Sequence, residues 1–392
     1  MKPAKSQSRM EYISLVPKKI PEEITESDNE NFLKAVSTDL DAKQKSQIIT
    51  PPQTFPKQET VIAVHWHPEF VPIELIARRI NAMFPNKIND LFIPTQHNQL
   101  MSYKGYTGVE VDCYSKGFNQ KVQLLLHFEN AKVENAVVLK EMLEHTFKYR
   151  SSQLLDFIHT ITEPMEDRIE AAAKETGANE ALIHFVRVYV KKAERLLEQY
   201  GDAVPEQSVK NKLLRNFFDS LRPEYGDALI DRSQIFLNAV KLIVKAEFPL
   251  HYFYRTSQVI EEARSLGAGI VIPHPEQFWP ILLAEYDVDG YEVWNPQSRR
   301  YTEFLISVLN KKNSRIGLSQ RKLLVFMGDD THMGEKTRAP EVQDKDKSGR
   351  EIGVQPAWDD LSIQKTLILG NFDRKKVIEE YRSRLGSEKI EN

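Results

Sequence analysis

Cysteine is almost missing: Cys113 is the only one in 392 residues. That excludes an intramolecular disulfide and suits a reducing compartment. No run of 18 apolar residues occurs, so no transmembrane helix is expected. The N-terminal stretch is polar and has no signal-peptide core, and a cytoplasmic protein is the expectation. Charge of one sign is also lacking. The net charge is −3 and the isoelectric point about 6.4, so there is no global basic signal for nucleic acid. Any site for a polyanion must come from a local patch or from metal. No internal repeat period is present.

Hydrophobic residues make up 41% of the chain, enough to bury a large core. The length allows one large domain with an insertion, or two domains. Residues 1–58 are polar and read as an extended or loosely attached arm, with Met10–Val16 as a candidate edge strand and Pro51, Pro52 and Pro56 as a stiff lead into the first barrel strand. Residues 131–265 carry long helical patterns, among them 134–155, 166–174, 178–200, 209–221 and 235–246. Lys191, Lys192 and Arg195 read as a solvated face of the third of these. Strand signals fill 59–130 and 266–335. Residues 336–392 read as a mobile loop, starting in the charged stretch 333–356, and a terminal helix from about Asp373 to Leu385.

What the chain does have is a set of histidines and acids placed at strand ends. Val61–Val64 is a short apolar, β-branched run leading to His65-Trp66-His67. Residues two apart on a strand share a side, so both imidazoles can face one volume. Alone, such a pair is more simply one packed and one solvated histidine; the residues downstream change that. Leu91–Pro94 delivers Thr95-Gln96-His97-Asn98. Val109–Val111 carries Glu110 in its middle. Val122–Leu126 ends at His127, Gly269–Pro273 delivers His274-Pro275-Glu276, and Leu323–Met327 ends in Gly328-Asp329-Asp330-Thr331-His332. Strands that each end at a candidate ligand suggest an α/β barrel with its site at the C-terminal strand ends.

This ordered set resembles the PHP (polymerase and histidinol phosphatase) family over roughly residues 60–130 and 266–335. The resemblance implies a distorted (β/α)7 barrel, here with a large helical insertion at 131–265. It implies two or three divalent metals at the strand ends and hydrolysis of phosphate esters, on nucleotides or nucleic-acid ends. By position it assigns metal ligation to His65, His67, His97, Glu110, His127, His274, Asp330 and His332, with the chemistry running through Glu110, Asp330 and His274. Two departures bear on the site. The first motif has Pro72 where the family usually has Asp, with Glu69 as a substitute ligand. Gln96 replaces the usual Asp before His97, which weakens a contact to that imidazole.

The residue types support the same chemistry. A phosphate ester repels an anionic nucleophile, and metal ions both acidify water and neutralise the phosphoryl oxygens. A mixed imidazole and carboxylate set suits manganese, iron or zinc. Glu110 is the natural bridge, having two oxygens for two metals. Arg299 and Arg300 follow a strand end and are candidates for phosphate binding. Glu292, on the same strand, is divided evenly between barrel packing and support of the site. His145, His159, His184 and His251 read as ordinary residues, and Cys113 as small core filling. The insertion, anchored between two ligand-bearing strands, is expected to cover the site or, with the arm, to bind a protein partner. The rival reading is a PHP-like binding or regulatory module of a larger assembly, with little or no turnover.

Overall fold

Short β-branched runs become short strands. In the computed structural model, which describes residues 16–17, 19–317, 321–338, 340 and 343–386, these are β1 (Thr60–Ala63), β2 (Trp66–His67), β3 (Asn89–Phe92), β4 (Met101–Tyr103), β5 (Tyr106–Ser115), β6 (Gln120–Glu129), β7 (Gly269–Ile272), β8 (Gly290–Trp294), β9 (Leu324–Met327) and β10 (Thr331–His332). They pair as β1 with β3, β2 with β10, and a six-stranded sheet ordered β4-β5-β6-β7-β8-β9. Pairing is parallel for β1–β3, β2–β10 and β7-β8-β9, and antiparallel from β4 through to β7.

The fold is therefore mixed α/β, but among the described residues no sheet closes into the expected (β/α)7 barrel. Local chain length explains much of the difference. Only residues 116–119 lie between β5 and β6. A parallel neighbour needs a crossover of about a dozen residues or more, so a four-residue link can make only a hairpin. The ten residue pairs of that hairpin turn half of the main sheet antiparallel.

The chain divides into two compact units. One comprises Leu40–Phe147 and Leu250–Asn392; the other comprises Lys148–Pro249 and the N-terminal residues up to Asp39. The helical insertion is thus shorter at both ends than the expected 131–265. Helix Val137–Phe147 stays with the sheets because Leu139, Met142 and Leu143 share a core with Val259 and Ala263. Within the helical unit, Glu180–Tyr200 buries a stripe of Leu182, Phe185, Val186, Tyr189, Val190, Ala193 and Leu196, the spacing of one helix face. No helix among the described residues is long and apolar enough to cross a membrane.

The N-terminal arm is not extended over its described part. Glu26–Val36 is a helix whose Thr25 and Asp28 form a reciprocal capping box, and Ala42–Ile49 is another, capped by Asp41 and Gln44. Phe32 and Val36 enter the helical unit's core, while Ile48 enters a core of the sheet unit. Lys192, expected on a solvated face, is instead buried and paired with Asp28 at 2.7 Å. The candidate strand at Met10–Val16 falls outside the described residues except for its last position.

Two parts of the charged stretch after β10, Met333–Thr337 and 350–353, are packed down, while 344–347 is exposed. Met333–Thr337 is a buried 3-10 turn. Arg79 donates to both carboxylate oxygens of Glu351, at 2.8 and 2.6 Å, and Lys336 donates to Glu351 at 2.7 Å. A composition reading sees the charges as solvent-seeking; the fold pairs them with one another. The terminal helix runs Arg374–Leu385, capped by Asp373.

Candidate metal centre

Strand register assembles the centre. β2 pairs with β10 so that His67 lies opposite His332, and their rings stack with centroids 4.3 Å apart. An isolated parallel bridge joins His97 to Glu110, and the His97 ring stacks on His67 at 4.4 Å. His65 and His67 both turn inward and are fully buried, as the two-residue period of an extended chain requires. His274 follows β7 with a positive φ of 27°. Its main-chain N–H donates to Glu292 Oε2 at 3.0 Å.

Glu110 stands in the middle with its oxygens facing different partners. Oε1 is 3.8 Å from His65 Nε2 and 3.5 Å from His274 Nε2. Oε2 is 3.6 Å from His67 Nε2 and 2.6 Å from His97 Nδ1. Asp330 Oδ1 lies 3.6 Å from His65 Nε2, and 3.3 Å from Nε2 of both His67 and His332. Three groups have donor atoms all within 4.8 Å of one another: His67, His97 and His332; His65, His67 and Asp330; His65, Glu110 and His274. Ligands about 2.1 Å from a shared cation lie roughly 3.0–3.4 Å apart, so the carboxylate–imidazole separations of 3.3–3.8 Å need only a small contraction.

The polar bookkeeping also fits metal. Among the described residues, His65 Nε2 and both nitrogens of His67 are buried and make no hydrogen bond, and the Glu110 oxygens accept none of good geometry, although His97 Nδ1 lies 2.6 Å from Oε2. Buried polar atoms without partners are costly, and cations held by these residues would take up the Glu110 oxygens and one nitrogen of each imidazole. Glu292 on β8 supports the set. Its Oε1 accepts from His65 Nδ1 at 2.7 Å, which puts a proton on Nδ1 and turns Nε2 inward as a lone-pair donor. A Cβ on Gly328 would collide with both Glu292 oxygens, so glycine there makes room for this carboxylate.

Electrostatics in the metal-free chain show what a cation must displace. Burial, with His332 and His97 adding to it, pushes His67 down to about 3, so it is neutral and ready to ligate. Burial also works against charge on His65, but Glu292, Asp330 and Glu110 overcome it and raise it to about 10. For His332, burial is outweighed by Asp330 and Glu69, giving about 9. The imidazoles hold Glu110 and Asp330 well below the usual carboxylate range despite burial. A cation held here would compete with protons on His65 and His332, and its affinity would rise with pH.

No family model and no curated protein matches this chain. Among solved structures, it is similar to a Bifidobacterium adolescentis protein named as a candidate metal-dependent phosphoesterase, at 16% identity and a TM-score of 0.37, over 82% of this chain and 97% of that one. A likeness this loose has no bearing on activity.

The structure brings His65, His67, His97, Glu110, His274, Asp330 and His332 together. It turns His127 to other partners, and Arg299 and Arg300, candidates for substrate rather than metal, lie outside the three groups. His127 Nε2 donates to the Val64 carbonyl at 2.9 Å, and its Nδ1 accepts from the Tyr381 hydroxyl at 2.6 Å. Both ring nitrogens are occupied, so His127 is a wedge behind the centre that fixes the backbone just before His65. Arg299 and Arg300 are exposed on Arg299–Tyr301; their ring contacts are with Trp294 and Tyr301. Glu69 lies outside the three groups, with Oε1 3.6 Å from His332 Nδ1. Gln96 accepts from the Glu69 main-chain N–H at 3.1 Å, so it serves Glu69 rather than the His97 ring. Sequence reasoning missed Arg350 and Gln297, which both bind Asp330, and Tyr381. No local spacing links them to their partners.

His127→Ala is expected to lower stability by about 3 kcal/mol, through an unpaired carbonyl and a cavity, with metal stoichiometry unchanged. Full metal loss without a shift in the unfolding midpoint would make His127 a ligand after all. Burial holds its folded pKa at about 3 against 6.5 for the ordinary group. Only the unfolded chain takes the proton between those values. Wild-type stability should therefore fall by about 1.4 kcal/mol per pH unit from this group as pH drops from 6.5 toward 3, and the H127A variant should lose that increment.

Proposed function

We propose that this chain is a PHP-like, metal-dependent hydrolase of phosphate esters, nucleotides included, using two or three divalent ions of manganese, iron or zinc type. The observation that carries this reading is the placement of Glu110, whose two oxygens face two different pairs of imidazoles. A carboxylate so placed could hold cations on both sides, and these would supply the charge neutralisation that displacement at phosphorus needs. Bound there, divalent ions supply Lewis acidity toward phosphoryl oxygens and acidify water.

The chain's own residues set the polarity and the entrance. Five imidazoles bring no charge when neutral, and only Glu110 and Asp330 are anionic among the grouped ligands. Two divalent ions leave such a site net positive, which favours an anionic substrate. Glu292 and Arg350, next to the ligands, offset each other in charge. The side chains of His97 and His332 are 25% and 19% exposed, whereas those of His65 and His67 are fully covered. Substrate therefore enters over the His97 and His332 edge, while the His65 side stays closed by Glu292.

The test is metal content of the purified chain together with hydrolysis of p-nitrophenyl phosphate and nucleoside monophosphates in added manganese. At least two transition metals per chain, with turnover that EDTA abolishes and manganese restores, is expected. A chain that takes up no metal overturns the reading. Metal without turnover on any phosphoester moves the chain to a binding or regulatory role.

A further inference from the structure

Asp330 uses its two carboxylate oxygens differently. Oδ1 faces the imidazoles of His65, His67 and His332. Oδ2 points away from them and is already taken. Arg350 Nη1 donates to it at 2.6 Å and also to the Asp330 main-chain carbonyl at 3.1 Å, and Gln297 Nε2 donates to it at 3.2 Å. Arg350 is only 6% exposed. Asp330 has a φ of 46°, a backbone region that costs a residue with a side chain energy unless its surroundings hold it there.

Resting on the metal-dependent reading, we propose that Arg350 is a positioning residue that makes Asp330 a one-oxygen ligand. A carboxylate with both oxygens free can swing, or chelate one cation through both. Here one guanidinium nitrogen binds the side chain and main chain of the same residue, which fixes the torsions between them. Only Oδ1 remains for cations among the histidines. Arginine suits the role because it stays charged when buried and presents a rigid array of donors.

The guanidinium is itself held. Its Nε donates to the Asp346 carbonyl at 3.3 Å. The Arg350 carbonyl accepts from Lys336 Nζ at 2.7 Å, and Lys336 also binds Glu351, which is gripped by Arg79. A second tether runs beside it: the Gly353 main-chain N–H donates to Asp329 Oδ2 at 2.8 Å. The buried charge network of Arg79, Lys336 and Glu351 thus fixes the main chain from which Arg350 reaches Asp330. This gives the packed stretch after β10 a purpose beyond covering the core.

The experiment is equilibrium dialysis of full-length chain against manganese, read by elemental analysis, with unfolding midpoints measured alongside. R350A is expected to bind at least one equivalent 10- to 100-fold more weakly, roughly the usual loss when a residue behind a ligand is removed. R350K, a single point charge, should fall between R350A and wild type. K336M loosens the same segment without touching Asp330. It should lower the unfolding midpoint and weaken manganese binding far less than R350A does. Equal binding by wild type and R350A overturns the role of Arg350. So does a loss of affinity in K336M as large as in R350A, which would make both merely structural. If R350A does not fold, R350K decides: affinity equal to wild type overturns the proposal. A wild-type chain that binds no manganese, iron or zinc overturns the metal reading first, a distinct result.

Discussion

Alanine at both His65 and His67 is expected to leave the purified chain without divalent metal. The reason is how the ligands are shared. Every one of the three groups contains at least one of these two residues: His67 in the first, both in the second, His65 in the third. Each of the two belongs to two groups, and no other residue does. The single variants should be graded. His65→Ala leaves His67, His97 and His332 together and should retain one cation position. His67→Ala leaves His65, Glu110 and His274 and should retain a different one. Fold should survive, because His67 lies on a two-residue strand, His65 just before it, and the main core is elsewhere. The cost is a buried Glu292 deprived of its His65 partner, worth about 1–3 kcal/mol. Elemental analysis of the three variants, with circular dichroism as a control, reads the result. Metal content equal to wild type in a folded double variant would show that the cluster is a packed polar core and not a metal centre.

Much of the centre was legible because it depends on local rules. An apolar run followed by His-x-His states both the strand and the shared side. An acid in the middle of Val109–Val111 states a buried carboxylate that must be used. The rest depends on partners far away in sequence. His127 sits near the end of an apolar run like the grouped histidines, and nothing near it shows that Tyr381, on the terminal helix, occupies its Nδ1. Arg350 lies in a charged stretch whose partners are each other, Arg79 and Asp330. Two other features have local signals that overall polarity and motif order obscure. Thr25-x-x-Asp28 and Asp41-x-x-Gln44 are helix-start signals inside a segment polar enough to suggest an extended arm. The four-residue link between β5 and β6 argues for a hairpin against a barrel of repeated β–α units.

Glu110→Gln is expected to abolish most hydrolysis while leaving the fold intact. Glutamine has the same shape and fits the same place on β5, so packing against the neighbouring strands is unchanged. It offers one carbonyl oxygen and one NH2 group, and the NH2 group repels a cation and cannot accept the inward-facing imidazole protons. Whichever way the amide turns, one pair of imidazoles loses its carboxylate: His65 and His274 on one side, or His67 and His97 on the other. The link between adjoining cations is broken, and the site also loses one of its two negative charges among the grouped ligands. Removal of a residue behind a ligand already costs about 10- to 100-fold; loss of the bridge itself should exceed that, giving at least about a hundredfold drop in kcat. Metal content should fall by about one equivalent per chain rather than to zero, because His67, His97 and His332 form a group without Glu110. That separates this variant from the double histidine variant, which loses all metal. The two readouts must move together: turnover measured with excess manganese, and metal retained after dialysis. An E110Q enzyme with wild-type kcat and a full metal complement would remove Glu110 from the centre and, with it, the observation on which the hydrolase reading rests.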